Sequence, residues 1–310
     1  MKIVVDSAIP YIKGVLEPYF DEVVYRGGRD IDCATVGNAR AMVVRTRTRC
    51  DAALLGGSSV EMIATATIGT DHIDRDYCDS HSIEVISSAG CNARAVAQWV
   101  GSALGHMGVG GGVLGVVGVG HVGREVVAMA LGRGFTVLQC DPPRAAAQGA
   151  QDFVELDYLL AHSDIVTLHV PLLATTRDMA DDSFFAAMQP DSVFLNSSRG
   201  EVVVESALLS FGGRFAIDVW RSEPMINGEL LNRATIATPH VAGYSARGKA
   251  RATAMCVDAL ARHFGIRELL GWSPSGDFRL EEPEDYDITI DDTALRASPD
   301  KFESLRRIRP

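Results

Sequence analysis

Three short polar segments in the second half of the chain carry the residues best suited to chemistry. Each follows an apolar run, and they are Asn196-Ser197-Ser198-Arg199-Gly200, Asp218-Val219-Trp220-Arg221-Ser222-Glu223-Pro224 and Thr238-Pro239-His240. If the apolar runs are parallel strands, the segments meet at one edge of a sheet, where α/β proteins bind ligands. An arginine, a glutamate and a histidine at such an edge are suited to oxidising an alcohol that lies beside a carboxylate.

Each of the three charged or titratable side chains has a predicted role. His240 is the general base that takes the hydroxyl proton, and Glu223 orients the imidazole ring and favours its charged form. Arg199 binds the substrate carboxylate through its planar guanidinium and polarises the reacting oxygen. Taken singly, His240 would more often be a capped loop histidine and Arg199 a surface charge. The prediction therefore depends on their occurring together with a cofactor motif.

A glycine motif that binds dinucleotides follows the apolar run Val113–Val117. It is Gly118-Val119-Gly120-His121-Val122-Gly123, and it opens an apolar helix, which is the context that this fingerprint requires. The glycines permit a tight turn and let backbone N–H groups at the start of the helix approach a pyrophosphate. The cofactor contacts predicted here are Gly118, Gly120, His121, Val122 and Gly123.

Asp141 stands eighteen residues after Gly123, at the end of the next predicted strand, Thr136–Cys140. A carboxylate at this position accepts hydrogen bonds from the ribose hydroxyls and repels a 2′-phosphate, so it selects NAD over NADP. The nearby Arg144 weakens that exclusion. The sequence therefore predicts NAD as the cofactor.

Two regions near the start of the chain could bind an anionic group of the substrate. Arg45, Arg47 and Arg49 alternate, and they would share one face if the strand at Met42 continued through them. That face could hold a phosphate, or it could be a solvated strand end. Thr67 belongs to a run in which threonines alternate with apolar residues, and its hydroxyl could donate to an anion.

The elements that must position these residues alternate between strands and helices in two series. The first, from Lys2 to about Ser88, predicts a small flavodoxin-like α/β unit with helices at Tyr11–Phe20 and His72–His81. The second follows a long apolar helix, and its predicted strands are Val113–Val117, Thr136–Cys140, Ile165–His169, Val193–Asn196, Phe215–Val219 and Thr235–Ala237. This alternation predicts the α/β class, with a Rossmann-type, doubly wound parallel sheet in the larger unit.

The order of these series predicts two domains and a tail. We expect residues 1–92 and about 245–264 to form the substrate (lid) domain, because a long helix at Ser245–Phe264 can pack back on the first unit. Residues 93–244 are the predicted NAD-binding domain. From Gly271 the composition changes, and residues 265–310 are interpreted as a reduced C-terminal segment.

Composition excludes several other classes of protein. The 310 residues are 47% hydrophobic and 22% charged, which is typical of a folded two-domain protein rather than a disordered one. The net charge of −11 argues against a nucleic-acid binder. Residues 95–123 are uncharged, yet ten glycines among them indicate buried elements rather than a membrane helix. Six cysteines without zinc spacing, and an N-terminus without a signal-peptide pattern, predict a reduced cytoplasmic protein with no metal site.

Taken together, the segments resemble the D-2-hydroxyacid dehydrogenase family. The resemblance is carried by NSSRG, DVWRSEP and TPH, in this order behind GVVGVGHVG and CDPPR. Within the family, TATIGTDHID, AGCNARAVAQ and TPHVAGYSARGKARAT are similar to the branch that oxidises 4-phospho-D-erythronate in pyridoxal 5′-phosphate synthesis. The match runs from Met1 to about Phe264.

The resemblance implies a role for further residues. It assigns catalysis to Arg199, Glu223 and His240, contacts with NAD to Asp141, Val170, Asp218 and Gly243, and contacts with substrate to Thr46, Thr67 and Tyr244. Val170 stands where a threonine is usual, so only its backbone is expected to contribute. The family ends in a dimerisation domain, which the segment Ala294–Arg307 resembles in part, and a homodimer is therefore expected.

Two alternatives stay open on the sequence alone. Another D-2-hydroxyacid, such as glycerate or 3-phosphoglycerate, would require the same fingerprint and the same three catalytic groups. A non-catalytic NAD sensor of the corepressor type would use the same fold. Retention of all three catalytic groups argues against the sensor.

Overall fold

The structure is a computed structural model that describes residues 1–276 and 285–306. The chain divides into two compact units. Unit 1 contains Met1–Asn92 and residues 246–276, and unit 2 contains Ala93–Ser245 and residues 285–306. Neither unit is continuous in sequence.

Unit 1 is built on a five-stranded parallel sheet. Its strand order is β2-β1-β3-β4-β5, which is the flavodoxin-like order expected from the sequence. The strands are β1 (Lys2–Asp6), β2 (Glu22–Arg26), β3 (Ala39–Val44), β4 (Met62–Thr65) and β5 (Glu84–Ser87). The central strands are apolar and almost fully buried, as a sheet covered on both faces requires.

The helices of unit 1 are short except for one. They are α1 (Cys33–Val36), α2 (Ala52–Leu55), α3 (Arg75–Ser80) and the long α11 (Ala246–Phe264), which packs against β4 and β5. Side chains of α11 join those of β1, β3 and β4 in one apolar core. The predicted return of this helix to the first series of strands is therefore present.

The helix predicted at Tyr11–Phe20 is wrong, because the segment forms consecutive turns. Tyr11 and Gly14 have positive φ angles of 65° and 86°, which interrupt a right-handed helix. Ile12 and Leu16 are nevertheless fully buried. Their four-residue spacing therefore reflects burial of two turns on one side and not helical periodicity.

Unit 2 is built on a six-stranded parallel sheet with the order β11-β10-β9-β8-β6-β7. The strands are β6 (Val113–Val117), β7 (Thr136–Cys140), β8 (Ile165–Leu168), β9 (Val193–Asn196), β10 (Arg214–Ile217) and β11 (Ile236–Ala237). Strand order reverses at β6, which lies between β7 and β8. The doubly wound sheet is thus confirmed, and its ligand-binding crevice belongs at the carboxyl end of β6 and β8.

Helices cover both faces of this sheet. They are α4 (Ala93–His106), α5 (His121–Gly132), α6 (Pro142–Gln148), α7 (Leu156–His162), α8 (Asp182–Ala187), α9 (Glu205–Ser210) and α10 (Gly228–Arg233). Helix α4 is buried over most of its length, with Trp99 inaccessible to solvent. Across residues 1–276 and 285–306, no helix is both long enough and apolar enough to cross a bilayer.

The segment 285–306 packs on unit 2 through α12 (Ile288–Ala297) and α13 (Phe302–Leu305). Ile288, Leu295 and Phe302 are buried in its two apolar cores. Asp292 Oδ1 accepts a hydrogen bond of 2.8 Å from the Ala237 N–H, which belongs to β11. Residues 265–276 pack instead with unit 1, so the described part of the predicted tail is divided between the units.

Candidate active site

The loop that follows β9 is shaped by Asn196 so that Arg199 stands at the carboxyl end of the sheet. Asn196 Oδ1 accepts from the Ser198 N–H at 3.0 Å, and its Nδ2 donates to the Arg199 carbonyl at 3.0 Å. A Cβ on Gly200 would lie 2.1 Å from the Trp220 carbonyl carbon, so only glycine allows this contact. The close contact seats the Arg199 loop directly on the loop that follows β10.

His240 and Glu223 form a hydrogen-bonded pair. Glu223 Oε2 lies 2.7 Å from His240 Nδ1, and Glu223 Oε1 accepts from the Trp220 N–H at 2.9 Å. Both carboxylate oxygens are engaged, which fixes the glutamate and, through it, the ring. With Nδ1 donating to the carboxylate, Nε2 is the nitrogen that carries the lone pair.

The charge of Glu223 is favoured by its surroundings. Burial alone would raise the pKa of this carboxyl, but the hydrogen bond and charge of His240, the Trp220 N–H and the Arg306 guanidinium outweigh it. The net effect lowers the pKa of Glu223 below its ordinary value. It is therefore a carboxylate throughout the neutral pH range.

The backbone of His240 has a positive φ of 56°, a conformation that non-glycine residues rarely adopt. Asp218 holds it there. The Asp218 carbonyl accepts from the His240 N–H at 2.7 Å, and the Asp218 carboxylate accepts from the N–H groups of Val241 at 2.7 Å and Ala242 at 2.9 Å. Unusual backbone that is fixed by several hydrogen bonds is a common property of functional sites.

A buried series of hydrogen bonds connects Asp218 with Trp99 through Thr238. Trp99 Nε1 donates to Thr238 Oγ1 at 2.9 Å, and Thr238 Oγ1 donates to Asp218 Oδ1 at 2.5 Å. Burial raises the pKa of Asp218, against the charge of His240 and the donors Thr238, Ala242 and Val241, which all favour ionisation. Sequence reasoning missed Trp99 as part of the site, because α4 lies far from the motif along the chain. Thr238 belongs to a predicted segment, but its hydrogen bond to Asp218 was not foreseen.

The glycine motif forms the loop between β6 and α5, as predicted. Gly118 has a φ of 86°, and a Cβ there would lie 2.7 Å from the His169 carbonyl oxygen. A Cβ on Gly123 would lie 2.1 Å from the Gly118 oxygen, whereas Gly120 faces open space at the exposed start of α5. His121 and Val122 form the first turn of that helix, whose N–H groups have no partner within it.

The remaining predicted cofactor residues surround this loop. Asp141 Oδ2 accepts from the Val119 N–H at 2.7 Å, so the carboxylate at the end of β7 is tied to the glycine motif. Val170 lies beside Gly118, within 2.9 Å of the position of an added Cβ. Gly243 belongs to the turn after His240, where the Tyr244 N–H donates to the Val241 carbonyl at 2.8 Å.

These residues fit a dinucleotide. Gly118 and Gly123 allow the loop to pack tightly, Gly120 leaves open space beside it, and the start of α5 offers its unpaired N–H groups to a pyrophosphate. Asp141 is only half-buried, with oxygen lone pairs left for ribose hydroxyls. Burial also lowers the pKa of the adjacent His169 to about 3, so this ring is neutral and adds no charge to the crevice.

The arginine face predicted in unit 1 does not form. Strand β3 ends at Val44, and the chain turns through residues 45–48 with a bond of 3.1 Å from the Thr48 N–H to the Arg45 carbonyl. Arg45 Nε instead pairs with the buried Asp6 at 3.1 Å, and Arg49 Nε pairs with Asp51 at 2.8 Å. The prediction that Arg45, Arg47 and Arg49 share one strand face is therefore wrong, because the strand does not continue.

Two of the predicted substrate contacts lie at the carboxyl edge of the unit 1 sheet. Thr46 is exposed in the turn after β3. Thr67 Oγ1 lies 2.7 Å from Thr65 Oγ1 and donates to the Gly69 carbonyl at 3.1 Å. The fourth predicted contact, Tyr244, belongs to unit 2 with His240.

One cation at the unit 2 site was not predicted. Arg306 Nη2 lies 3.2 Å from Tyr244 Oη, and the Arg306 guanidinium carbon stands 5.2 Å from the centre of the Tyr244 ring. This arginine is 62 positions after Tyr244, at the end of a segment that sequence analysis assigned to dimerisation. No spacing signal could have connected the two residues.

Comparisons with known proteins agree with this geometry. Residues 89–242 match the family model described as D-isomer specific 2-hydroxyacid dehydrogenase, NAD binding domain. The chain is 40% identical to the erythronate-4-phosphate dehydrogenase of Bacteroides fragilis, covering 99% of this chain and 95% of the relative. It is 37% identical to that of Porphyromonas gingivalis, covering 100% and 92%.

Solved structures share the fold at lower identity. An NAD⁺-bound 3-phosphoglycerate dehydrogenase of Entamoeba histolytica superposes with a TM-score of 0.72 at 23% identity, over 86% of this chain and 96% of that one. A D-lactate dehydrogenase of Aquifex aeolicus gives a TM-score of 0.67 at 21% identity, over 88% and 99%. With its NAD-binding domain and its full-length relatives, the chain belongs to the D-isomer-specific 2-hydroxyacid dehydrogenase family.

Proposed function

We propose that this dehydrogenase oxidises 4-phospho-D-erythronate to (R)-3-hydroxy-2-oxo-4-phosphooxybutanoate, in pyridoxal 5′-phosphate synthesis. The observation that carries the proposal is the His240–Glu223 pair at 2.7 Å, beside the Arg199 loop and in the same unit as the dinucleotide motif. The name of the Bacteroides fragilis relative, at 40% identity over nearly the whole chain, supports the choice of substrate.

The side chains divide the reaction between them. NAD, when bound, accepts the hydride from C2 of the substrate. His240 Nε2 takes the proton of the C2 hydroxyl, which leaves the C2 carbonyl, and the Glu223 carboxylate stabilises the imidazolium that forms. Arg199 binds the carboxylate on C1 and, as a fixed cation, favours the negative charge that develops on the reacting oxygen.

A panel of substrates tests the proposal. Initial rates of NADH formation are measured with 4-phospho-D-erythronate, D-erythronate, D-glycerate and D-3-phosphoglycerate at equal concentration. We expect kcat/KM to be highest for 4-phospho-D-erythronate, by at least about tenfold over the other acids. A higher kcat/KM for D-glycerate or D-3-phosphoglycerate would identify that acid as the substrate and would leave the proposed hydride and proton transfers unchanged. NAD binding without turnover of any acid would favour a sensor of the corepressor type.

Location and assembly are also part of the proposal. All six cysteines are free and five of them are buried, which suits a reducing cytoplasm. We infer a homodimer from the family resemblance. Sedimentation velocity on the full chain measures this directly, and a single species at the monomer mass of 33.2 kDa would contradict it.

A further inference from the structure

The position of Arg306 gives the site a second cation beside the catalytic pair. Phe302 is fully buried and Leu305 packs against the same apolar core, so α13 fixes where residue 306 emerges. The guanidinium then lies over the Tyr244 ring at 5.2 Å and donates to its hydroxyl at 3.2 Å. Stacking on an aromatic ring is a common way to hold an arginine that binds an anion.

The charge of Arg306 is only partly neutralised. The nearest carboxylate in the described part of the chain is Glu303, at 3.7 Å from Nη1, and that side chain is half exposed. The buried Nε atom has no hydrogen-bond partner among the described residues. The positive charge of the guanidinium is also one of the causes that lower the pKa of Glu223.

Binding of a substrate with two anionic ends is favoured by a cation near each end, because the chain as a whole carries a net charge of −11. Arg199 is assigned to the carboxylate. The arginine face predicted for the phosphate in unit 1 is not formed, and Arg45 is paired with Asp6. A neighbouring arginine, Arg221, is bound to Asp178 and to the Val203 carbonyl. Arg306, which contacts the predicted substrate residue Tyr244, is therefore well placed for a second anionic group.

We propose that Arg306, held over the Tyr244 ring, binds the phosphate group of the substrate and so determines specificity for phosphorylated acids. The proposal rests on the function proposed above, since it names how that substrate is distinguished from an unphosphorylated one. A guanidinium suits this task because its planar donors match two phosphate oxygens at once. The segment 285–306 then contributes Arg306 to the substrate-binding site, in addition to packing on the outside of unit 2.

The test compares three variants with the wild-type chain. Arg306→Gln removes the charge, Arg306→Lys keeps the charge without the planar fork, and Lys301→Gln removes an exposed charge from the same segment as the matched control. For each, kcat/KM is measured with 4-phospho-D-erythronate and with D-erythronate. We expect the ratio of the two values to fall about 10- to 100-fold in Arg306→Gln, less in Arg306→Lys, and not in Lys301→Gln.

A second measurement separates this proposal from the proposed function. Binding of inorganic phosphate to the NAD-saturated chain is followed by calorimetry, and its Kd should rise about tenfold or more in Arg306→Gln. An equal loss for both substrates, or an unchanged phosphate Kd in a variant whose melting temperature is normal, overturns the role of Arg306. Failure of the wild-type chain to prefer the phosphorylated acid overturns the proposed function instead.

Discussion

The carboxyl-end edges of the two sheets hold their polar side chains in different ways. In unit 2, His240 and Glu223 are fixed by several hydrogen bonds to each other and to buried backbone. In unit 1, Thr46 is exposed in a turn, and Arg45 pairs with the buried Asp6. The difference fits the proposed division of roles, in which unit 2 is preorganised for the chemical step and the unit 1 edge contributes mainly to binding.

The largest expected effect is that of His240→Ala. The variant lacks the Nε2 atom that is proposed to take the hydroxyl proton, and general-base catalysis is worth about 10²- to 10⁴-fold in rate. We expect kcat to fall by about that factor while the Kd for NAD stays within about twofold. Stopped-flow measurement of NADH formation and fluorescence titration of the cofactor check this. Turnover close to that of wild type would reject His240 as the base.

Arg199→Lys is expected to have the next largest effect. Lysine keeps the charge but lacks the planar fork that binds a carboxylate through two parallel hydrogen bonds. We expect kcat/KM to fall about 100-fold with unchanged affinity for NAD. The control is Arg177→Lys, an exposed arginine of the same unit whose replacement should leave kcat/KM within about twofold. If both variants behave alike, Arg199 does not bind the substrate.

Thr238→Val tests whether the buried chain behind Asp218 is responsible for the precise position of His240. Valine keeps the shape of threonine but removes the hydroxyl, which leaves the Trp99 N–H and one Asp218 oxygen each short of a partner. We expect the free energy of unfolding to fall by about 1–3 kcal/mol and kcat to fall about tenfold. Thr238→Ser should restore both. Loss of stability with normal kcat would show that the hydrogen bonds through Thr238 have only a structural role.

Glu223→Gln is expected to change the pH dependence more than the rate at high pH. Oxidation needs neutral His240, so kcat/KM rises as the ring loses its proton. Because the pKa of Glu223 is lowered, its negative charge is present throughout that range and favours the imidazolium. Glutamine removes the charge that favours the imidazolium, so the rising limb should move to lower pH. Superimposable profiles would show that the two side chains are not coupled.

The smallest expected effect is that of Arg45→Gln in unit 1. Its pairing with Asp6 leaves less of its charge for a ligand, so we expect kcat/KM for 4-phospho-D-erythronate to fall only about threefold to tenfold. A smaller loss with D-erythronate would indicate that Arg45 also contacts the phosphate. Loss larger than that in His240→Ala would reverse the comparison between the two edges.

The sequence predicted the strands that carry the unit 2 site residues well because its signals are local. Gly118, Arg199, Glu223 and His240 each lie within a few residues of a strand end, and parallel strands bring their carboxyl ends to one edge. The predicted bounds of the strands in that sheet agree with the observed bounds to within two residues.

The sequence failed where the outcome depended on contacts between distant segments. The three arginines after β3 alternate as a strand would, yet the chain turns at residue 45 and Asp6 of β1 pairs with Arg45. Trp99 and Arg306 join the site from elements about 140 and 66 residues from His240 along the chain. Hydrophobic periodicity and spacing contain no information about such contacts.

The bond from the Ala237 N–H to Asp292 has a consequence for the order in which the protein matures during synthesis. Until residue 292 has left the ribosome, the strand that leads directly to His240 lacks this partner, and the Leu231 and Ala234 carbonyls lack the Arg296 guanidinium. The last strand of the unit 2 sheet is therefore secured only after residue 296 has left the ribosome. His240 is thus among the last residues to be fixed in the newly made chain.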